Sequence, residues 1–215
     1  MIDLCIINGS PKKERSNSHY LAGELVKLLD KKVNSKEYYI GNIMKDHSIL
    51  DSIVSYKSII FVSPLYADCL PSTMLDFMSA FEDFVKTKSN IKPHMYCIIN
   101  CGFFEGIQNK IAVNIMENYC KRLGFNWRFG IGVGGGEFIG GSKNLPLDSK
   151  MKRPVYDAFL TLKNDIEKNS DKKAENIFVS PNMPEFIYKF AGNMGWKTQA
   201  KKNGLKPKEL YKKIY

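Results

Sequence analysis

The chain has 215 residues, of which 44% are hydrophobic and 25% charged, and it carries a formal net charge of +10. That length sits at the top of the range for one compact domain, and the composition excludes disorder, collagen and coiled coil as the main architecture. Met1-Ile2-Asp3 runs into an apolar segment without the basic stretch and apolar core of a secretory leader, and no apolar run approaches the roughly 20 residues of a membrane-spanning helix. A cytoplasmic protein without a membrane span is expected.

Five cysteines, Cys5, Cys69, Cys97, Cys101 and Cys120, give neither an even disulfide framework nor a C-x-x-C pair, and are read as reduced thiols. Cys97 and Cys101 lie four apart around one predicted strand and so share a face, where they pack rather than ligate. His19, His47 and His94 are scattered without a second ligand at zinc-like spacing, so no metal site is expected.

In chain order, Asp3 to Asn8 is a short apolar run broken by Gly9-Ser10-Pro11, a buried strand followed by a turn. Leu21, Leu25, Leu28 and Leu29 recur at helical spacing and predict a helix over about 17–31. Glu37 to Ile40 reads as a short second strand, and the weakly patterned segment through Asp51 as helical. Ser58 to Ser63 is a clear strand stopped by Pro64, and Met74, Phe77, Met78, Phe81 and Phe84 mark the next helix. Met95 to Asn100 repeats the strand signal. Ile111, Ile115, Met116, Tyr119 and Leu123 form a further helix, with Gly124 as the residue that ends it.

Trp127 to Val133 supplies a fifth strand, and Val155, Phe159, Leu162 and Ile166 a fifth helix. Between them, Gly132 to Gly141 is too glycine-rich to be strand throughout, and serves either a close backbone approach to a ligand or a flexible loop. Near-continuous apolar strands separated by helices indicate a parallel sheet covered on both faces, so the fold class is α/β, a doubly wound five-stranded parallel sheet. Residues 169–176 read as a surface linker. This divides the chain into a sheet domain over 1–170 and a helical, lysine-rich appendage over 171–215.

The most informative segment is Gly9 to Ser18, Gly-Ser-Pro-Lys-Lys-Glu-Arg-Ser-Asn-Ser, between the first strand and the first helix. Free N–H groups at a helix N-terminus favour a phosphate dianion, and Ser10, Ser16 and Ser18 hydroxyls, the Asn17 amide and the Lys12 cation would complete a cradle. The same residues also fit a helix cap at Ser16 or Asn17 beside solvated lysines.

Three loops then agree. Gly9 to Ser18 resembles the phosphate loop of the NADPH-dependent FMN reductase family, flavodoxin-like flavoproteins. Pro64-Leu65-Tyr66 after the third strand resembles the family's P-x-Y loop along the flavin ring, and Asn100-Cys101-Gly102-Phe103-Phe104 its short glycine-containing loop at the other edge. The likeness covers about residues 1–165. It implies that Ser10, Lys12, Ser16, Asn17 and Ser18 take the FMN phosphate, and that Pro64, Leu65, Tyr66, Asn100, Gly102 and Phe103 line the ring and ribityl chain. Tyr66 and Phe103 are candidates for stacking on the ring or for rim packing. Lys12 stands where arginine is frequent in the family, replacing bidentate contact by a point charge. The cysteine cluster of the family's iron-sulfur branch is absent.

The resemblance further implies a homodimer that passes electrons from NADPH or NADH through FMN to a small acceptor such as a quinone, an azo or nitro compound, or free flavin. The flavin carries such chemistry without a side-chain acid or base. Asp68 and Glu105 are accordingly read as solvated loop carboxylates, and no catalytic residue is assigned. The alternative is a non-enzymatic FMN electron carrier, but such flavodoxins are acidic and use a threonine-rich phosphate loop. The basic charge also raises nucleic-acid binding, yet it concentrates in the tail: Trp196 to Tyr215 holds seven lysines against Glu209 alone. No nucleic-acid partner is expected. Phe186, Ile187, Phe190, Ala191 and Met194 form an apolar helical stripe just before those lysines, an order that favours docking on protein over a membrane surface.

Overall fold

The computed structural model describes residues 2–168 and 174–212, and the chain divides into two units, Met1–Asn182 and Met183–Tyr215. The first unit runs β1 (Ile2–Asn8), α1 (Asn17–Leu28), β2 (Val33–Tyr39), the short helices α2 (Ile40–Ile43) and α3 (Ile49–Ile53), β3 (Ser58–Pro64) and α4 (Ser72–Lys86). It continues through β4 (His94–Asn100), α5 (Lys110–Leu123), β5 (Asn126–Val133), α6 (Gly136–Gly141), α7 (Arg153–Lys168) and β6 (Ile177–Val179). Every strand pairing is parallel, in the order β2-β1-β3-β4-β5-β6.

Alternation along the strands explains the two layers of helix. Leu4 and Ile6 of β1, Ile60 and Val62 of β3 and Tyr96 and Ile98 of β4 share a buried cluster with Leu21 and Leu25 of α1 and Phe159 and Leu162 of α7. Their neighbours Cys5, Ile7, Ile59, Phe61, Met95 and Cys97 point the other way, into a cluster with Met74, Phe77 and Phe81 of α4 and Met116 of α5. Cys97 and Cys101 lie in that same second cluster, as their spacing predicts. Each fully buried side chain of this size contributes about 1.5–3 kcal/mol, so a strand apolar on both faces is held only between two helical layers. β2, at the edge, alternates half-buried and exposed residues over Val33 to Glu37 and buries only Tyr38.

The sheet has six strands rather than the five expected. Ile177-Phe178-Val179 is too short a run to stand out by pattern, but it pairs with Ile131, Gly132 and Val133 along the outer edge of β5. The Asn176 side chain extends that pairing by accepting the Gly130 N–H at 2.7 Å. Backbone groups that an open edge would leave unpaired are satisfied in this way. Of the polar linker expected at 169–176, residues 169–173 lie outside the described residues. Gly124 ends α5 in the left-handed conformation (φ 69°), as predicted.

The second unit consists of α8 (Glu185–Lys202) and a 3₁₀ turn at Pro207–Tyr211. Among the described residues no helix is long and apolar enough to cross a membrane.

One charged cluster is locked into the first core. Arg128 of β5 donates to Asp165 of α7 through Nε (3.0 Å) and Nη2 (2.9 Å), and the Tyr96 hydroxyl donates to the same carboxylate at 2.8 Å. Removing one partner strands a buried charge, whereas replacing both by apolar groups does not. Asp165→Ala is expected to lower the unfolding free energy by about 3 kcal/mol in urea titrations, and Arg128→Met with Asp165→Leu to recover most of that loss.

Candidate functional site

β1 ends at Asn8, whose buried side chain sets the turn that follows. Its Nδ2 donates to Glu37 Oε1 at 2.8 Å, which aims Oδ1 at the Ser10 N–H, 2.9 Å away. Gly9 is required by crowding: a Cβ there would fall 2.8 Å from Met74 Sδ and 3.2 Å from Ser63 Oγ. The chain then makes a 3₁₀ turn at Lys13–Arg15, held by Lys13 Nζ donating to Asn42 Oδ1 at 2.8 Å.

Ser16 is the cap of α1. Its Oγ accepts from the His19 N–H at 3.0 Å and donates to the Lys13 carbonyl at 2.6 Å. The capping reading of Ser16 therefore holds, and its hydroxyl is occupied in holding the loop. With the His19 N–H taken by the cap and the Tyr20 N–H by the Ser16 carbonyl, the first two amides of the helix, Asn17 and Ser18, point outward from its end. Behind the loop, Glu37 Oε2 lies 2.8 Å from His19 Nδ1, and the Tyr39 hydroxyl lies 3.0 Å from that nitrogen. Burial and then the Glu37 carboxylate push the Tyr39 hydroxyl up to about 12.

Asn100, at the end of β4, joins the next two loops to this one. Its buried side-chain amide donates to Ser18 Oγ and to the Ser63 carbonyl, both at 3.0 Å, while the Asn100 backbone carbonyl accepts from the Leu65 N–H at 2.8 Å. Asn17 reaches to the loop after β5, donating from Nδ2 to the Gly136 carbonyl at 2.9 Å. The glycine-rich run is hydrogen-bonded and closely packed, and Glu137 within it faces the cleft. Gly135 and Gly136 donate to the Phe103 and Cys101 carbonyls, α6 forms from Gly136, and a Cβ at Gly134, Gly136 or Gly140 would collide with the Phe104–Gly106 backbone, the Cys101 carbonyl or the Asn17 amide.

These loops enclose a cleft of about 230 Å³ at the carboxyl ends of β1, β3 and β4, beside the point where strand order reverses. It is lined by Ser10, Lys12, Ser16, Asn17, Ser18, Pro64, Tyr66, Asn100 and Gly102 from the sequence-predicted set. Leu65 is not among them: its side chain turns into the core with Cys5 and Phe77. Phe103 is also outside the lining, and stands 52% exposed. Arg15, Cys101 and Glu137 line the cleft without having been predicted. Arg15 follows Lys12 by three residues, the spacing of a 3₁₀ turn, and Cys101 sits between two predicted residues. Glu137 lies in the glycine-rich run that the sequence offered as a ligand approach without naming a residue, and the Asn17–Gly136 bond at the start of α6 holds it beside the cleft. Burial raises the Cys101 thiol above its ordinary value, and the Asn109 amide beside its sulfur opposes that shift.

The arrangement offers an anion two outward amides, the Ser10 and Ser18 hydroxyls and the Lys12 and Arg15 cations at a helix N-terminus. The same cleft is also lined by Pro64 and Tyr66 from the loop after β3 and by Gly102 from the loop after β4.

No protein-family model matches the chain, and no curated protein does. Among solved structures, an NADH:FMN oxidoreductase in its apo form superposes with a TM-score of 0.57 at 10% identity, over 80% of this chain and 92% of that one. The Trp repressor binding protein from Bacillus subtilis gives 0.54 at 20% identity, over 78% and 99%. General stress protein 14 from Treponema denticola, solved in complex with FMN, gives 0.52 at 9% identity, over 77% and 99%.

The fold is flavodoxin-like. In this flavodoxin-like frame the cleft occupies the crevice where such sheets bind ligands, outside the carboxyl ends of the strands at the switch point.

Beyond Pro64 the chain makes a two-residue hairpin, with Tyr66 and Cys69 exchanging backbone hydrogen bonds at 2.8 and 3.0 Å. Its corner residues Ala67 (φ 46°) and Asp68 (φ 61°) are both left-handed, where non-glycine residues cost about 1–2 kcal/mol each. Ala67→Asn with Asp68→Gly, the pair such turns prefer, is expected to raise the unfolding free energy by about 1 kcal/mol in urea titrations.

Proposed function

We propose that this chain is an FMN-dependent oxidoreductase that takes electrons from NADH or NADPH and delivers them to a small acceptor: a quinone, an azo or nitro compound, or free flavin. The cleft carries this reading, because its first loop gathers groups that suit a phosphate and the loops after β3 and β4 bring Pro64, Tyr66 and Gly102 to the same cleft. The outward amides of Asn17 and Ser18 and the cations of Lys12 and Arg15 fit a phosphate dianion, which the helix dipole also favours. Arg15 supplies the planar guanidinium that Lys12 alone lacks. At about 230 Å³ the enclosed space is smaller than the ~300 Å³ lower bound of a pocket that swallows a whole ligand, which suits a site that grips the phosphate end and leaves the ring accessible to substrates. The complex of general stress protein 14 with FMN and the NADH:FMN oxidoreductase, both of this fold, support the same assignment.

FMN held there supplies hydride acceptance and onward electron delivery. The chain's own residues bind and orient. Ser10, Lys12, Ser16, Asn17 and Ser18, with Arg15, hold the phosphate, Ser16 by keeping the helix end open. Pro64, Tyr66, Asn100 and Gly102 line the ribityl chain and ring, and Leu65 contributes by anchoring its loop in the core. Asn100, fixed by its two donated bonds, keeps the loops after β3 and β4 at a constant separation. A cytoplasmic homodimer belongs to this reading. Phe103, Ile107 and Ile111, all exposed beside the β4 loop, are apolar side chains that a second subunit would cover around the ring.

Fluorescence titration tests the assignment. FMN is expected to quench on binding in the micromolar range or tighter, and riboflavin, which lacks the dianion, to bind at least tenfold more weakly. Fluorescence of FMN unchanged by the protein would refute the reading. Ser16→Asp keeps a capping oxygen, gives up the bond donated to the Lys13 carbonyl, and places a carboxylate beside the phosphate. FMN affinity is expected to fall at least tenfold, about 1.4 kcal/mol, with an unchanged circular dichroism spectrum. Equal affinity in that variant would move the phosphate elsewhere.

A further inference from the structure

The second unit holds a feature that the cleft does not use. Phe186, Phe190, Met194, Lys197 and Lys201 recur along α8 at steps of three and four residues, so they form one stripe, with Ile187 beside its start. The stripe is apolar for its first half and cationic for its second. Phe186 is 71% exposed and Phe190 68%, and Ile187 and Met194 are exposed as well, while the only buried side chain in the helix is Ala200. Gly192 and Gly195, in the middle of the helix, have open space where a Cβ would stand. An 18-residue helix with two interior glycines and no packed face has little stability of its own in water. Its apolar half calls for a cover.

Charge indicates which cover. Met183 to Tyr215 contains eight lysines against two glutamates, and so carries six of the chain's ten net positive charges. A two-fold pairing of this face with its copy would set one lysine-rich segment against another, which disfavours a second copy as its occupant. A nucleic acid duplex would satisfy the lysines but leave Phe186, Ile187, Phe190 and Met194 without a role, and a single strand that stacked bases on the phenylalanines would still leave the aliphatic Ile187 and Met194 uncovered. A bilayer with anionic headgroups takes both halves: apolar side chains enter the acyl boundary and lysines stay at the headgroups on their long stems. Trp196 and Tyr211, both exposed, have the apolar body and polar tip favoured at that boundary.

We propose that α8 and the lysine-rich segment after it dock this protein on the surface of an anionic phospholipid bilayer, without crossing it. The order of stripe and lysines along the sequence argues for docking on protein, but the helix places Lys197 and Lys201 on the stripe's own face. That is the geometry of a helix dipping its first half into the interface. An apolar signal joined to a polybasic one is the combination that gives stable peripheral attachment.

The test is co-sedimentation of the full chain with vesicles of phosphatidylcholine alone or with about one-third phosphatidylserine. Partition onto the anionic vesicles is expected to be at least tenfold stronger and to weaken as salt rises. Phe186→Ser with Phe190→Ser, and separately Lys201→Glu with Lys202→Glu, are each expected to lower it at least tenfold while the circular dichroism spectrum stays unchanged. Both variants change exposed residues remote in sequence from the cleft loops, and FMN titration of each reports on the cleft independently. Equal or absent partition onto the two vesicle types overturns the proposal. So does full retention by the double serine variant, which would make the contact purely ionic, as for nucleic acid. Loss of self-association in that variant, seen by sedimentation velocity without any vesicle binding, would assign the face to a second copy instead.

Discussion

Because the chain leaves β1 toward β2 on one side and returns to β3 on the other, α1 and α4 are carried to opposite faces of the sheet. The carboxyl ends of β1 and β3 therefore open into a crevice between diverging helices, and every other feature of the site depends on that reversal. It points the N-terminus of α1 at the crevice. It also brings the loops after β3 and β4 to the opposite wall. The apolar alternation that drives the two helical layers and the polar chemistry at the strand ends are thus consequences of one topology.

Three asparagine amides hold the loops in place. Asn8 ties the first turn to β2 through Glu37, Asn17 ties α1 to the loop after β5, and Asn100 ties the loops after β3 and β4 to α1. Each bond contributes only about 1 kcal/mol net to stability. Their larger effect is on precision, since a site built from loops holds its geometry only when buried partners fix each one. The strained hairpin corner at Ala67 and Asp68 belongs to the same pattern: backbone strain persists there because the paired Tyr66 and Cys69 over-determine the turn.

The sequence was legible where local pattern decides structure. Apolar runs such as Ser58 to Ser63, followed by Pro64, reveal strands, and the polar Gly9 to Ser18 stretch between a strand and a helix reveals a loop that lines the cleft. β6 was not legible, because three apolar residues become a strand only when the edge of β5 lies beside them. Leu65 and Phe103 fall in loops whose neighbours line the cleft, yet which way each side chain turns is set by packing: Leu65 into the core, Phe103 into the open. Glu137 and the glycine run were beyond local reading for a different reason. Their positions are fixed by contacts with Asn17, Cys101 and Phe103, remote in sequence. Arg15 was within reach, three residues from Lys12, and its omission made the cleft look less cationic than it is.

The central claim is that this cleft holds a flavin that a reduced nicotinamide can reach. Anaerobic visible absorption measures it directly: the purified chain with one equivalent of FMN, before and after addition of NADH or NADPH. The account predicts that the flavin bands bleach rapidly with at least one donor and return when a quinone is added. Bands that stay unbleached by both donors, with FMN demonstrably bound, would contradict it and leave an FMN carrier in place of an oxidoreductase.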